Sequence, residues 1–148
     1  MTDLPAWDSI DDRFPRLYWR LDAAAWDAFC RFGMVHDLDT GDVLFQEGGP
    51  SISLVLVMDG ELAITRGGEQ IARVGKNYSV GEMGLLLDQP RAGSVAATKP
   101  SKVLELGRED ILRMQEESPV WSTRLYRVLA ECLAEYLQAM ASKQRGPS

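Results

Sequence analysis

From Asp42 to Gly107 the chain is written in short apolar runs, each cut off by a turn-forming segment. DVLF gives way to QEGGPS, SLVLVM stops at Asp59-Gly60, and ELAITR stops at Gly67-Gly68 before EQIARV. Runs this short are too brief for stable helices but long enough for strands. Asp-Gly and Gly-Gly supply the positive φ that two-residue hairpin turns demand, so both predict hairpins. SVAAT and KVLEL add two further runs after Gly93. Many short strands at this spacing predict an antiparallel barrel or sandwich.

Helices are expected on both sides of this β region. Asp22 precedes AAAWDAFCRF and suits an N-cap, Trp26, Phe29 and Cys30 share one face, and Gly33 can end the helix. After Gly107, REDILRMQEE carries acids in its first turn, where the helix dipole favours them. Ser118-Pro119 then reads as a second start, Ser as N-cap and Pro at the first helical position, with the helix running to about Met140. The fold class expected is mainly β with flanking helices: an antiparallel β-roll or jelly-roll barrel, one N-terminal helix and two C-terminal helices. The expected divisions are an irregular lead-in at 1–21 (with Pro5, Pro15 and the aromatics Trp7, Phe14, Tyr18 and Trp19), one domain at 22–141, and a frayed tail at 142–148.

Composition removes several function classes. A chain of 148 residues is one domain's worth. It holds no apolar run long enough to span a membrane. The acidic opening MTDLPAWDSIDD lacks the pattern of a secretory signal, so the cytoplasm is the expected compartment. A net charge of −6 repels phosphate backbones, and nucleic-acid binding by this chain alone is not expected. Cys30 and Cys132 have no metal-ligand spacing and read as small reduced hydrophobes. His36, the single histidine, reads as a surface or strand-edge residue rather than a haem ligand. No nucleophile–base pair and no phosphate loop of the GxxxxGK[ST] type occurs, so no catalytic residue and no metal site is assigned and the chain is not expected to be an enzyme.

The chemistry concentrates in VGEMGLLLDQPRAGSV, residues 80–95. Gly81-Glu82-Met83-Gly84 reads as a short helical turn whose glycines let a ligand approach the backbone. Arg91 then stands as a lone cation beside the small residues Ala92, Gly93 and Ser94. Free N–H groups and a guanidinium fork make an anion site. Glu82 repels phosphate but accepts strongly from a hydroxyl. The pairing points to a ligand with both a phosphate and a sugar hydroxyl, and a nucleotide has both. The same residues also fit a structural Glu–Arg pair beneath a glycine-rich loop.

This stretch resembles the phosphate-binding cassette of cyclic-nucleotide-binding domains, found in catabolite activator proteins, regulatory subunits of cyclic-AMP-dependent kinase and cyclic-nucleotide-gated channels. The resemblance extends over about residues 22–140, with TGDVLFQEGGPS and SLVLVMDGELAIT matching the family's opening strand and central hairpin. It implies that Glu82 accepts from the ribose 2′-hydroxyl and that Arg91 pairs with the cyclic phosphate. It further implies that N–H groups near Gly81, Met83 and Ala92 complete the cradle, with Gly93 beside them, and that Ile64, Ile71 and Val74 line the apolar side of the pocket. Ala92, where threonine favours cyclic GMP in the family, leans towards cyclic AMP; cyclic GMP stays an alternative ligand. The chain departs from the family at Val80, where an aromatic is usual, at Asn77 in place of a Gly-Asp turn, and at Gly93 in place of alanine.

In the last helix Leu125, Leu129, Cys132 and Tyr136 step along one face, and Leu129, Leu133, Tyr136 and Met140 along an overlapping one. The seam is expected to join two copies as a homodimer. Tyr126, Arg127 and Tyr136 are candidates to cap the base by stacking. The function expected is a stand-alone cyclic-nucleotide-binding regulatory module that signals to an unidentified protein effector through movement of its C-terminal helices. The alternative is a degenerate domain of the same fold that dimerises, scaffolds or senses another small ligand.

Overall fold

The computed structural model describes residues 21–76 and 78–145, without the side chains of Met83, Glu135, Tyr136, Ala139, Met140 and residues 142–145. The expected lead-in through residue 20, the turn at Asn77 and the tail end at 146–148 lie outside the described residues.

Helix α1 (Ala23–Phe32) starts as its sequence predicts: an Asp22 side-chain oxygen accepts from the Ala25 N–H at 2.9 Å. Phe29 is fully buried, with Trp26 and Cys30 packed beside it. The chain then enters β1 (Met34–Leu38), a strand that the glycine punctuation does not announce. The remaining strands are β2 (Val43–Phe45), β3 (Ser53–Asp59), β4 (Glu61–Arg66), β5 (Glu69–Gly75), β6 (Ser79–Val80), β7 (Ser94–Ala97) and β8 (Ser101–Gly107). They form two four-stranded antiparallel sheets, ordered β1-β8-β3-β6 and β2-β7-β4-β5. The mainly-β class with flanking helices holds, and among the described residues the strands make two packed sheets rather than one closed barrel.

The period-2 alternation of β3 explains why the molecule has three layers. Leu54 and Leu56 point outward into a core shared with the helices, while Val55 and Val57 point inward against the second sheet. β8 repeats the scheme, with Leu104 and Leu106 on the helical side and Val103 between the sheets. The middle sheet is thus buried on both faces, which accounts for the nearly continuous apolar run SLVLVM.

The Gly67-Gly68 hairpin forms as expected: Arg66 pairs with Glu69 across it. The Asp59-Gly60 hairpin does not form. β3 pairs with β6 and β8, whereas β4 pairs with β5 and β7, so this turn carries the chain from one sheet to the other. A tight change of direction needs positive φ in either case, and the dipeptide cannot distinguish them. Gly60 has φ +99°, and a Cβ there would run into Ser101.

Helix α3 (Arg108–Glu117) is held at its start by Asp110, whose carboxylate accepts from the Gly107 N–H at 2.8 Å. Helix α4 (Pro119–Arg145) begins as predicted after Ser118, whose carbonyl accepts from Trp121 at 2.9 Å. It runs 27 residues, about 40 Å, and extends beyond Met140 through four residues of the expected frayed tail. Leu125, Leu129 and Cys132 of the expected dimer seam are buried in this chain's own core, against α1, α3 and the middle sheet. The seam's Tyr136 and Met140 side chains lie outside the described residues. No helix among the described residues is long and apolar enough to cross a membrane.

The turn at Gly60 supplies a test. Gly60→Ala adds backbone strain and a steric conflict with Ser101, and is expected to cost about 2–4 kcal/mol in urea unfolding. Gly67→Ala, where a Cβ meets nothing within 4 Å, should cost only about 1 kcal/mol.

Candidate functional site

Arg91 lies in the loop between the short helix α2 (Glu82–Leu87) and β7. Its backbone is clamped from both sides by the QEGGPS loop: its N–H donates to the Gly49 carbonyl at 2.9 Å, and its carbonyl accepts from Gly48 at 2.8 Å. The side chain is 6% exposed. Nη2 donates to the Ser53 carbonyl at 2.7 Å and to Ser53 Oγ at 3.3 Å, and Nη1 donates to the Gly81 carbonyl at 3.3 Å. The guanidinium carbon stands 3.5 Å from the centroid of the Phe45 ring, a close cation–π contact. Burial lowers the proton affinity of the guanidinium, and the carboxylates Glu105 and Glu82 raise it back. An arginine stays cationic under this balance.

Glu82 opens α2, and Gly81 before it has φ +89°. A Cβ at Gly81 would collide with Arg91 Nη1, so glycine is needed here for both conformation and space. Glu82 Oε2 is inaccessible to solvent and has no hydrogen-bond partner among the described residues. Burial pushes this carboxyl up to about 6, with its own backbone N–H, the Ser79 hydroxyl and the Arg91 charge pulling partly back. Glu82 and Arg91 make no direct ion pair among the described residues. The reading of these two as a closed structural pair is therefore not what the geometry gives.

Both side chains instead line one cavity of about 280 Å³. Gly81, Ala92 and Gly93 stand on its wall with them, as do Ile64 and Ile71. Val74 does not: it is fully buried in the core between the sheets, among Phe45, Val55 and Leu62. Its alternation on β5 matches Ala72, which is also fully buried, rather than Ile71. Met83 sits in the first turn of α2, and its side chain lies outside the described residues.

Several wall residues carry no signal in the sequence. Phe45 forms the floor under Arg91, Leu133 reaches in from α4, and Arg66 stands at the cavity with its Nε donating to the Ala92 carbonyl at 3.0 Å. Leu133, counted in the dimer seam from its spacing, lines the cavity. Of the proposed stacking residues, Tyr126 and Arg127 are exposed and off the cavity wall, and the Tyr136 side chain is not described. An amphipathic stripe gives a helix face but not the neighbour that face meets. His36 occupies the edge strand β1, as expected, yet it is not idle: its Nε2 lies 2.8 Å from Glu105 Oε1.

Two guanidinium groups, Arg91 buried and Arg66 at the wall, with a carboxyl that has one unsatisfied oxygen and with apolar walls, suit a ligand with an anionic group, a hydroxyl donor and an apolar part. The buried carboxyl also has a cost in the free protein. A glutamate raised from 4.5 to about 6 makes stability fall as pH rises through that window, by about 2 kcal/mol. Glu82→Gln is therefore expected to stabilise the ligand-free protein by about 2 kcal/mol at pH 7.5, with the gain gone below about pH 4.5. Urea titrations of both proteins at several pH values read this directly, and equal stabilities at pH 7.5 would contradict it.

Comparison with known proteins gives a consistent result. The family model described as cyclic nucleotide-binding domain matches residues 35–118. A cAMP-dependent protein kinase regulatory subunit from Hypocrea atroviridis is 43% identical over 74 residues, half of this chain and 16% of that protein. The chain spans less than a fifth of the length of the curated relatives it matches. Among solved structures, the N-terminal domain of a transcriptional regulator from Streptomyces coelicolor A3(2) is 29% identical with a TM-score of 0.67, covering 84% of this chain and 94% of that one. The Thermus thermophilus catabolite activator protein is 26% identical with a TM-score of 0.66, covering 84% and 61%. With this family match over most of the β region and the site it encloses, the chain belongs to the cyclic nucleotide-binding domain family.

Proposed function

We propose that the cavity binds cyclic AMP, with the cyclic phosphate on Arg91, the ribose 2′-hydroxyl on Glu82, and the base against Ile64, Ile71 and Leu133. The observation that carries this reading is the convergence of Arg91 and Glu82, whose Oε2 has no hydrogen-bond partner among the described residues, on one apolar-walled cavity. A 2′-hydroxyl supplies the Glu82 carboxylate with a further donor. The phosphate gives the guanidinium a full counter-charge in place of the neutral Ser53 and Gly81 carbonyls it now holds. Ala92 offers no hydroxyl to a guanine amino group, which favours adenine.

Leu133 supplies the route to an output. It is a cavity-wall residue carried by α4. A base packed against it favours one placement of α4 over another, and binding then shifts the population of helix positions. A protein effector that reads α4, or a second copy of this chain joined through it, is the output this arrangement serves. The chain itself carries the ligand-binding part of such a regulator, in a cytoplasmic setting.

Calorimetric titration tests the assignment. The parent should bind cyclic AMP more tightly than cyclic GMP. Arg91→Ala should lose about 2–5 kcal/mol, roughly 30- to 4000-fold in affinity, because one member of a desolvated charge pair is removed. A mutant that binds like the parent would remove Arg91 from the phosphate site.

A further inference from the structure

The inward face of the middle sheet ought to be apolar, because it packs against the second sheet, and along most of its length it is. At the end beneath Arg91 it is not. Ser53 shares a face with Val55 and Val57 on β3, and Glu105 shares a face with Val103 on β8. β1 continues the row, with His36 paired to Val103 and Met34 to Glu105. Polar residues at positions the pattern reserves for the core need a reason.

These side chains form one directed chain of hydrogen bonds. Ser53 Oγ donates its single proton to Glu105 Oε2 at 2.7 Å, so it can only accept from Arg91 Nη2 at 3.3 Å. The other carboxylate oxygen is 2.8 Å from His36 Nε2, which must donate to an ionised carboxylate. Partial burial pushes the Glu105 carboxyl up, but the Ser53 hydroxyl, His36 and the Arg91 charge outweigh it and hold it below the ordinary glutamate range. The charged or titratable groups bearing on Glu105 are His36 from β1 and Arg91 from the cassette, and Glu82 bears on the same guanidinium.

We propose that Glu105, relayed through Ser53 and anchored by His36, is the resting counter-charge of the phosphate arginine and weakens its grip on an incoming anion. Glu105 stabilises a buried guanidinium when the cavity holds no anion. An anionic ligand then becomes the second negative charge on one cation, and the two anions repel. The coupling is reciprocal: what Glu105 takes from the ligand's affinity, the ligand takes from the ionisation of Glu105. At an effective dielectric of about 20, a repulsion between two unit charges held on opposite sides of one guanidinium amounts to roughly tenfold in binding. The ligand half of the proposal rests on the cyclic-nucleotide reading, whereas the Glu105–Arg91 coupling belongs to the free protein.

The test uses the whole chain and two readouts. Glu105→Gln keeps an oxygen that accepts the Ser53 proton but removes the charge, and cyclic AMP should bind it roughly tenfold more tightly than the parent at pH 7.5 by calorimetry. In the ligand-free protein, carbon-13 NMR titration of the Glu105 carboxyl should move upward in Arg91→Gln, because the cation that favours ionisation is gone. Binding to Glu105→Gln that equals or falls below the parent's overturns the proposal, since a merely structural Glu105 predicts that loss. A Glu105 titration unmoved by Arg91→Gln overturns it as well. If cyclic AMP fails to bind even the parent while Arg91→Gln still moves Glu105, the ligand assignment falls and the counter-charge stands.

Discussion

The Arg91 guanidinium has left water for a place between the Ser53 carbonyl, the Gly81 carbonyl and the face of Phe45. An arginine this deeply buried must be supplied with acceptors and counter-charge, and much of the local architecture answers that demand. The QEGGPS loop fixes its backbone through Gly48 and Gly49. Gly81 omits the side chain that would occupy the guanidinium's space. β3 presents Ser53, and β8 supplies Glu105 behind it. The two glutamates differ: both Glu105 oxygens are engaged, by His36 and Ser53, whereas Glu82 Oε2 is buried without a hydrogen-bond partner among the described residues.

That asymmetry distinguishes Glu82 and Arg91 from a closed ion pair, in which each charge offsets part of the other's desolvation. Here the carboxyl is kept in a setting that raises its proton affinity and costs the free protein stability near neutral pH. The apolar remainder of the wall, with Leu133 contributed by α4, connects the site to the longest helix of the fold.

Much of this was legible in the residues, and the failures have physical causes. Asp22 and Ser118-Pro119 were readable because a helix start depends on local chemistry. Gly67-Gly68 was readable as a hairpin because its flanking strands pair with each other. Asp59-Gly60 looked the same and was not, since sheet membership is decided by partners far along the chain. β1 was missed because MVHDL lies on a sheet edge and mixes charge with apolar residues. Gly81, Glu82 and Arg91 could be read together because they are near neighbours in the chain, and all three line the one cavity. Val74 was misplaced by one alternation of β5. Phe45, Ser53, Glu105 and Leu133 reach the site from four separate elements, and the one hint available was the KVLELG alternation, which sets Glu105 on the face of Val103.

In a crystal structure of the chain with cyclic AMP, the Arg91 fork should lie within about 3 Å of the cyclic phosphate oxygens and Glu82 at a similar distance from the ribose 2′-hydroxyl. A nucleotide bound elsewhere, with Arg91 still on the Ser53 carbonyl and Glu82 without a partner, would contradict this placement.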